Sequence, residues 1–118
     1  MRHASLILVA LMVAGCASMM QPSPQSIALT VVNIETPQGV KIWEPASVIA
    51  RKGDTVALKL INRHSDEHGY EIAAYGIKEV VQANQSKDVS FKADKAGVYP
   101  IKCHLHPAHV VGQLLVLE

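Results

Sequence analysis

Surplus charge is missing from this chain. Its 118 residues carry 11 Lys and Arg against 10 Asp and Glu, a formal net charge of +1, and loss of Arg2 with an N-terminal leader levels even that. Neither a nucleic acid nor an anionic surface is implied as a partner. Aromatic rings are few, at 4% of residues, and the single tryptophan, Trp43, is expected to pack at an edge or end of a core rather than serve redox chemistry. No methionine follows Met20, which removes the thioether from any ligand set built by later residues. Long apolar runs are absent too: Leu6 to Val13 is shorter than the roughly 20 residues a bilayer crossing needs. No long amphipathic helix stands out, and the length leaves room for one domain.

What the N-terminus does have is an export pattern. Arg2 and His3 make a short polar opening, Leu6 to Val13 an apolar middle, and Ala14-Gly15-Cys16 a close in small residues. The ending Val13-Ala14-Gly15-Cys16 resembles the lipobox of bacterial lipoproteins, which implies cleavage before Cys16 and a lipid on its thiol. The expected organisation is a signal at 1–15, a lipidated N-terminus and linker at 16–25, marked by Pro22 and Pro24, and a folded domain at 26–118. The resemblance implies a membrane attachment through that lipid on the periplasmic face, with Ala17 rather than Asp after the cysteine favouring the outer membrane. Cys103 is then left without a disulfide partner. A lone thiol in an oxidising compartment is open to oxidation unless a metal holds it.

Beyond the linker, apolar residues recur with a period near two. Ile27, Leu29 and Val31 form one such row; Val56, Leu58 and Leu60 another; Val89 and Phe91, Val98 and Ile101, and Leu115 and Leu117 follow. Turn signals separate the rows at Pro37-Gln38-Gly39, Lys52-Gly53-Asp54, Ala83-Asn84-Gln85-Ser86 and Asp94-Lys95-Ala96-Gly97. Short strands at regular spacing predict an all-β antiparallel Greek-key sandwich with one core of Val, Ile and Leu.

Near the C-terminus, Cys103-His104-Leu105-His106-Pro107-Ala108-His109 sets one thiol and three imidazoles in a turn between two strand-like stretches. Soft sulfur with borderline nitrogen suits copper or zinc, and the lack of a carboxylate in the cluster disfavours hard cations. Cys103 and His106 are the principal candidates, with His109 one turn further on. His104, next to the thiol, is expected to point away from the ion. His64, in the polar run Asn62-Arg63-His64-Ser65-Asp66-Glu67, reads as part of a solvated turn, and Glu67 offers an oxygen.

The order of motifs adds a family resemblance. Lys52-Gly53-Asp54-Thr55-Val56, then Asn62 with His68-Gly69-Tyr70-Glu71-Ile72, then Lys95-Ala96-Gly97-Val98-Tyr99 with Cys103-x-x-His106 and Gly112-x-Leu114-x-Val116, resembles the cupredoxins from about Ser26 to the end. That resemblance implies one copper ion cycling between Cu(I) and Cu(II), held at one end of a sandwich by His68, Cys103 and His106, with Asn62 bonding across the ligand loops. Residues 69–80 and 90–97 are similar to the nitrosocyanin-like red copper members. In those members a glutamate falls where this chain has His68 and the C-terminal loop is two residues longer, yet His109 keeps the register of their second loop histidine. The expected set is therefore His68, Cys103, His106 and His109, a site red or green rather than intense blue.

Thiolate and neutral imidazoles accommodate both copper oxidation states, so little rearrangement accompanies electron transfer. No general acid, base or nucleophile stands apart from the ligand set. Single-electron transfer with redox proteins is the leading expectation. Copper sequestration or delivery to acceptor proteins is the second, suited by further histidines at His64 and His104. A nitrosocyanin-like redox enzyme acting on a small molecule is the third, and it requires an open coordination position that four protein ligands would fill.

Overall fold

The computed structural model describes residues 15–16 and 19–118. Most of the expected signal, along with Ala17, lies outside the described residues; Cys16 lies within them and is exposed. Nine strands follow: β1 Ser26–Glu35, β2 Lys41–Glu44, β3 Ser47–Arg51, β4 Thr55–Asn62, β5 His68–Ile72, β6 Ile77–Val81, β7 Ser86–Lys92, β8 Gly97–Ile101 and β9 Gly112–Leu117. A single 3-10 turn, Ala73–Tyr75, links β5 to β6, and there is no α-helix among the described residues.

One layer has the order β2-β1-β4-β7 and the other β3-β9-β8. The hairpin β5-β6 continues the second layer, because Glu71 and Lys102 exchange backbone hydrogen bonds at 2.8 and 3.0 Å. The expected β-sandwich is what forms, but its sheets are mixed rather than purely antiparallel. β1 pairs with β4 in parallel, from Ser26↔Thr55 to Asn33↔Asn62, and β3 pairs with β9 in parallel. Strands joined by long connections rather than hairpins are free to pair in either sense, and alternation along one strand carries no information about its neighbour's direction.

Burial alternates along β4, where Val56, Leu58, Leu60 and Asn62 all turn inward. The same parity in β1 buries Val31 and Asn33. Each inward Val or Leu contributes roughly 1.5–3 kcal/mol by leaving water. The two asparagines stand at the end of that apolar row, side by side in register, and mark where core gives way to a polar end.

One of the apolar rows faces the other way from the expectation, and another is split between the two faces. In β9 the buried residues are Leu114 and Val116, while Leu117 is exposed; in β8 Ile101 is buried but Val98 is 66% exposed. Gln113 to Leu117 is apolar at four consecutive positions, so alternation leaves its inward face undecided. Packing decides it: Gly112 lies against the Ala46 carbonyl, where any Cβ would collide, and this closeness sets the register of β9 on β3.

All four predicted turns occur between strands, and that between β3 and β4 carries a buried acid. Asp54 accepts backbone N–H bonds from Gln25 and Arg51, both at 2.8 Å, which hold its carboxyl below the usual 3.8. A carboxylate whose folded pKa is depressed contributes stability above its unfolded pKa, and loses it as pH falls through the lower folded value. Asp54→Asn is accordingly expected to melt below wild type at pH 7, with the gap closing under about pH 4, as followed by calorimetry.

Candidate metal centre

The C-terminal loop is wound so that every third residue faces the same way. The His106 N–H donates to the Cys103 carbonyl at 3.4 Å and the His109 N–H to the His106 carbonyl at 3.0 Å. Residues 103, 106 and 109 thereby turn toward the sandwich end, and His104 does not. The His104 ring lies over Gly69 so closely that a Cβ there would run into it. Glycine at 69 is what lets the two ligand-bearing segments approach.

His68 begins β5 and is fully buried, paired opposite Val81. Its Nδ1 lies 3.8 Å from Cys103 Sγ, and the Nδ1 of His106 lies 3.5 Å from the same sulfur. The donor atoms of His68, Cys103 and His106 all lie within 4.8 Å of one another. A sulfur about 2.3 Å and a nitrogen about 2.0–2.1 Å from one ion stand ~3.5 to ~3.8 Å apart as their angle opens from tetrahedral to trigonal. Both sulfur–nitrogen separations of the trio are therefore already at metal-ligand spacing.

Electrostatics suit the same purpose. The Gly69 N–H donates to Cys103 Sγ at 3.2 Å, a polar contact that holds the sulfur in place. Burial pushes the His68 pKa down to about 4, helped by the neighbouring His106, His109, His64 and Lys41. Burial lowers His109 as well, with the Val110 carbonyl opposing and His106 and Lys41 adding to it. Neutral imidazoles keep the lone pair a metal requires.

His109 is buried beside the trio, its ring centroid 5.3 Å from that of His68, but outside the group of converging donors. Its Nε2 meets Asn33 Oδ1 at 3.1 Å, while Asn33 Nδ2 donates to Asn62 Oδ1 at 3.3 Å. Its Nδ1 faces the Val110 carbonyl at 3.2 Å. The Asn33 amide oxygen and the Val110 carbonyl both only accept, so a neutral His109 ring donates from Nε2 to the one or from Nδ1 to the other, not to both. Trp43 closes this flank, 6.4 Å from the His109 ring, donating its indole N–H to the Gly69 carbonyl at 2.9 Å and meeting Tyr70 edge-on. It is buried on the edge strand at the site end, in the structural role expected of it.

The fold and this end of it match one family, whose cupredoxin-like domain covers residues 5–116. The chain belongs to the cupredoxin-like domain family. Among solved structures, this cupredoxin-like chain is similar to copper nitrite reductase from Nitrosomonas europaea, at 22% identity and a TM-score of 0.66 over 78% of this chain and 41% of that one. It is also similar to a multi-copper oxidase from Pseudomonas thermotolerans, at 16% identity and a TM-score of 0.66 over 81% of this chain and 30% of that one. The chain spans less than half the length of either, and at these identities the likeness is one of fold. No curated protein matches it.

Asn62 does more than the resemblance implied. Its Nδ2 donates to the carbonyls of Asp66, Val81 and Gln82 at 2.7, 3.0 and 3.3 Å, and its Oδ1 accepts the His64 N–H at 2.9 Å. The loop that delivers His68 is thus fastened at both ends. Glu67 lies outside the donor group and takes a hydrogen bond from Gln82 Nε2 at 3.2 Å.

His64 is a correction. Instead of lying in a solvated turn, its ring is folded inward, meeting Glu35 Oε2 at 2.7 Å through Nε2 and His68 Nε2 at 3.2 Å through Nδ1. Asn62 causes this, because its hold on the His64 and Asp66 backbone curls the run back over β5. Asn33 and Glu35 were missed as parts of the site. The signal was present in the row 27, 29, 31, 33, 35 of β1, whose inward parity continues past Val31 to the sandwich end.

Proposed function

We propose that this is a mononuclear copper protein that carries single electrons, its ion held by His68, Cys103 and His106, with His109 alongside as fourth donor. The observation that carries the reading is the convergence of one thiol and two imidazole Nδ1 atoms at metal-ligand spacing in a cupredoxin-like domain. Copper bound there supplies a one-electron couple between Cu(I) and Cu(II). The protein's part is to hold the donors so that neither oxidation state moves them. Strand β5 fixes His68, the 103–109 turns fix the sulfur and His106, and burial keeps water off the thiolate.

His106 is only half buried, and the segment that carries it also bears Leu105, Val110 and Val111, which are 36, 39 and 54% exposed. Exposed apolar residues on the segment that carries one partly accessible ligand suit brief docking with a redox partner. His64, which a copper carrier would use for capture, is instead engaged with Glu35 and His68, and this favours electron transfer over delivery. The lipid on Cys16, the periplasmic face of the outer membrane as location, and the red-copper ligand set belong to the same proposal. Cys16 is exposed and thus open to modification.

A small-molecule reading has one observation of its own, a shallow cavity of about 230 Å³ lined by Gly39, Lys41, His106, Pro107, Ala108 and His109. One experiment separates the three roles: electron paramagnetic resonance of the Cu(II)-loaded protein through repeated reduction and reoxidation, with an acceptor chelator and then azide. The expected result is one copper per chain, retained against the chelator, with a fully recovered signal that azide leaves unchanged. Ready surrender of copper supports delivery, an azide-shifted signal supports small-molecule chemistry, and no uptake of copper removes the proposal.

A further inference from the structure

The deep side of His68 is turned toward the sulfur, and its other nitrogen begins a chain of contacts to the surface. His68 Nε2 lies 3.2 Å from His64 Nδ1, and His64 Nε2 lies 2.7 Å from Glu35 Oε2. The two rings meet edge-on, centroids 5.1 Å apart at 71°. Glu35 is the last residue of β1 and is about two-fifths exposed, whereas the His64 side chain is 14% exposed and His68 is fully buried. A carboxylate at the rim is thereby connected to a buried candidate ligand through one intervening imidazole.

The direction of every proton in this chain follows from one backbone group. The Asp66 N–H donates to His64 Nδ1 at 3.2 Å, and an amide N–H has no other role available. His64 Nδ1 is therefore the acceptor nitrogen, and the proton of the neutral ring is on Nε2. There it meets the Glu35 carboxylate, which can only accept, so both ends of the ring agree. The nearest oxygen of the other carboxylate, Asp66 Oδ2, is 3.6 Å from Nδ1, outside hydrogen-bonding distance, and its side chain is 61% exposed. Because His64 Nδ1 accepts, a hydrogen bond between the two rings has His68 donating from Nε2 into a lone pair shared with the Asp66 N–H, and this leaves His68 Nδ1 bare, facing Cys103 Sγ. The tautomer a metal needs is the one the relay enforces.

We propose that Glu35 and His64 are positioning residues for His68, a relay that fixes its tautomer and ring angle and passes carboxylate charge toward Nδ1. The inference rests on His68 being a metal ligand, as proposed above. A hydrogen bond from the far nitrogen of a ligating histidine to a carboxylate sets ring orientation and strengthens the ligating nitrogen, and its loss costs about 10–100-fold in metal affinity. Here the carboxylate acts through a second ring. Negative charge delivered to the ligand stabilises Cu(II) over Cu(I), so the relay lowers the reduction potential.

Three variants separate orientation from charge. His64→Phe removes the relay. His64→Gln restores an acceptor for His68 Nε2 without a route to Glu35, and Glu35→Gln keeps an acceptor for His64 while removing the charge. Long-range ¹⁵N–¹H NMR of the copper-free protein reads the tautomers directly, and the loaded protein gives Cu(II) affinity and potential. Wild type is expected to show His68 protonated on Nε2 alone; His64→Phe should show both tautomers, with Cu(II) affinity about 10-fold or more lower. His64→Gln is expected to recover the single tautomer. Glu35→Gln should keep the tautomer and shift the Cu(II)/Cu(I) preference about tenfold toward Cu(I), a rise of about 59 mV.

An unchanged His68 tautomer in His64→Phe overturns the relay. Wild-type potentials in both His64→Phe and Glu35→Gln overturn the tuning role. A wild type that binds no copper overturns the functional reading itself, and the copper-free NMR result still decides the relay. Glu35 lies at the surface, so its variant reports even where a His64 variant fails to fold.

Discussion

Cys103→Ser is expected to abolish the sulfur-to-copper charge-transfer absorption and to lower copper affinity by more than the ~10–100-fold that loss of a supporting hydrogen bond costs. Cys103 is the only thiol in the folded domain, 7% exposed, and both imidazole Nδ1 atoms of the trio are aimed at its sulfur. A serine hydroxyl keeps the shape but is neither soft nor ionised near neutral pH, so the short covalent bond to copper is lost. No disulfide is broken, since the cysteine is free. The fold should persist, with circular dichroism like that of wild type. Absorption spectroscopy with a competing chelator gives both quantities, and a variant that retains the band and affinity would place the metal elsewhere.

Asn62→Ala has the second large effect, and it falls on stability first. The side chain is fully buried, donates to three carbonyls and accepts from the His64 backbone and the Asn33 amide. Alanine takes the partner from the buried Asn33 amide and removes a bond from the buried Val81 carbonyl, each at about 1–3 kcal/mol less whatever the loop recovers by moving, while the Gln82 carbonyl keeps the Gln85 N–H and Asp66 is exposed to water. A net loss of ~3 kcal/mol follows, read as a fall in Tm of ~12–24 °C for a domain of this size. Copper affinity falls as well, because the loop that presents His68 is no longer tied to β6 and Asn33 no longer orients His109. A Tm within ~2 °C of wild type would mean that the asparagine network does not organise this end.

The contrast between these two residues shows what sequence makes legible. Cys103 and His106 stand three apart in a turn, and local spacing is enough to bring them together. His68 came only through resemblance, since nothing local ties it to a sulfur 35 positions later. The turns at Gly53, Asn84 and Gly97 were readable because a residue type with a backbone preference occupies each, and β1, β4 and β7 because their apolar rows alternate. β8 and β9 misled for a matching reason: a strand apolar on both faces does not announce which one is inward, and a glycine against a carbonyl settled it. Parallel pairing of β1 with β4 was hidden because alternation fixes faces, not neighbours.

Polar residues were the hardest to place. His64 sits among Arg63, Ser65, Asp66 and Glu67, a composition that reads as solvated, and only the Asn62 side chain, reaching back to the Asp66 carbonyl, folds it inward. His109 was expected to join the donors by its position in the loop. The structure buries it beside them and sets its Nε2 against Asn33, a partner 76 positions away. Hydrogen bonds between distant strands follow from strand order, and strand order is what the chain alone does not print.

The most direct test is copper K-edge X-ray absorption on the protein loaded with one equivalent of Cu(II). One sulfur scatterer at about 2.3 Å together with two or three imidazole nitrogens at about 2.0 Å is the expected result. A shell of nitrogen and oxygen alone, with no sulfur, would contradict a centre built on Cys103, His68 and His106.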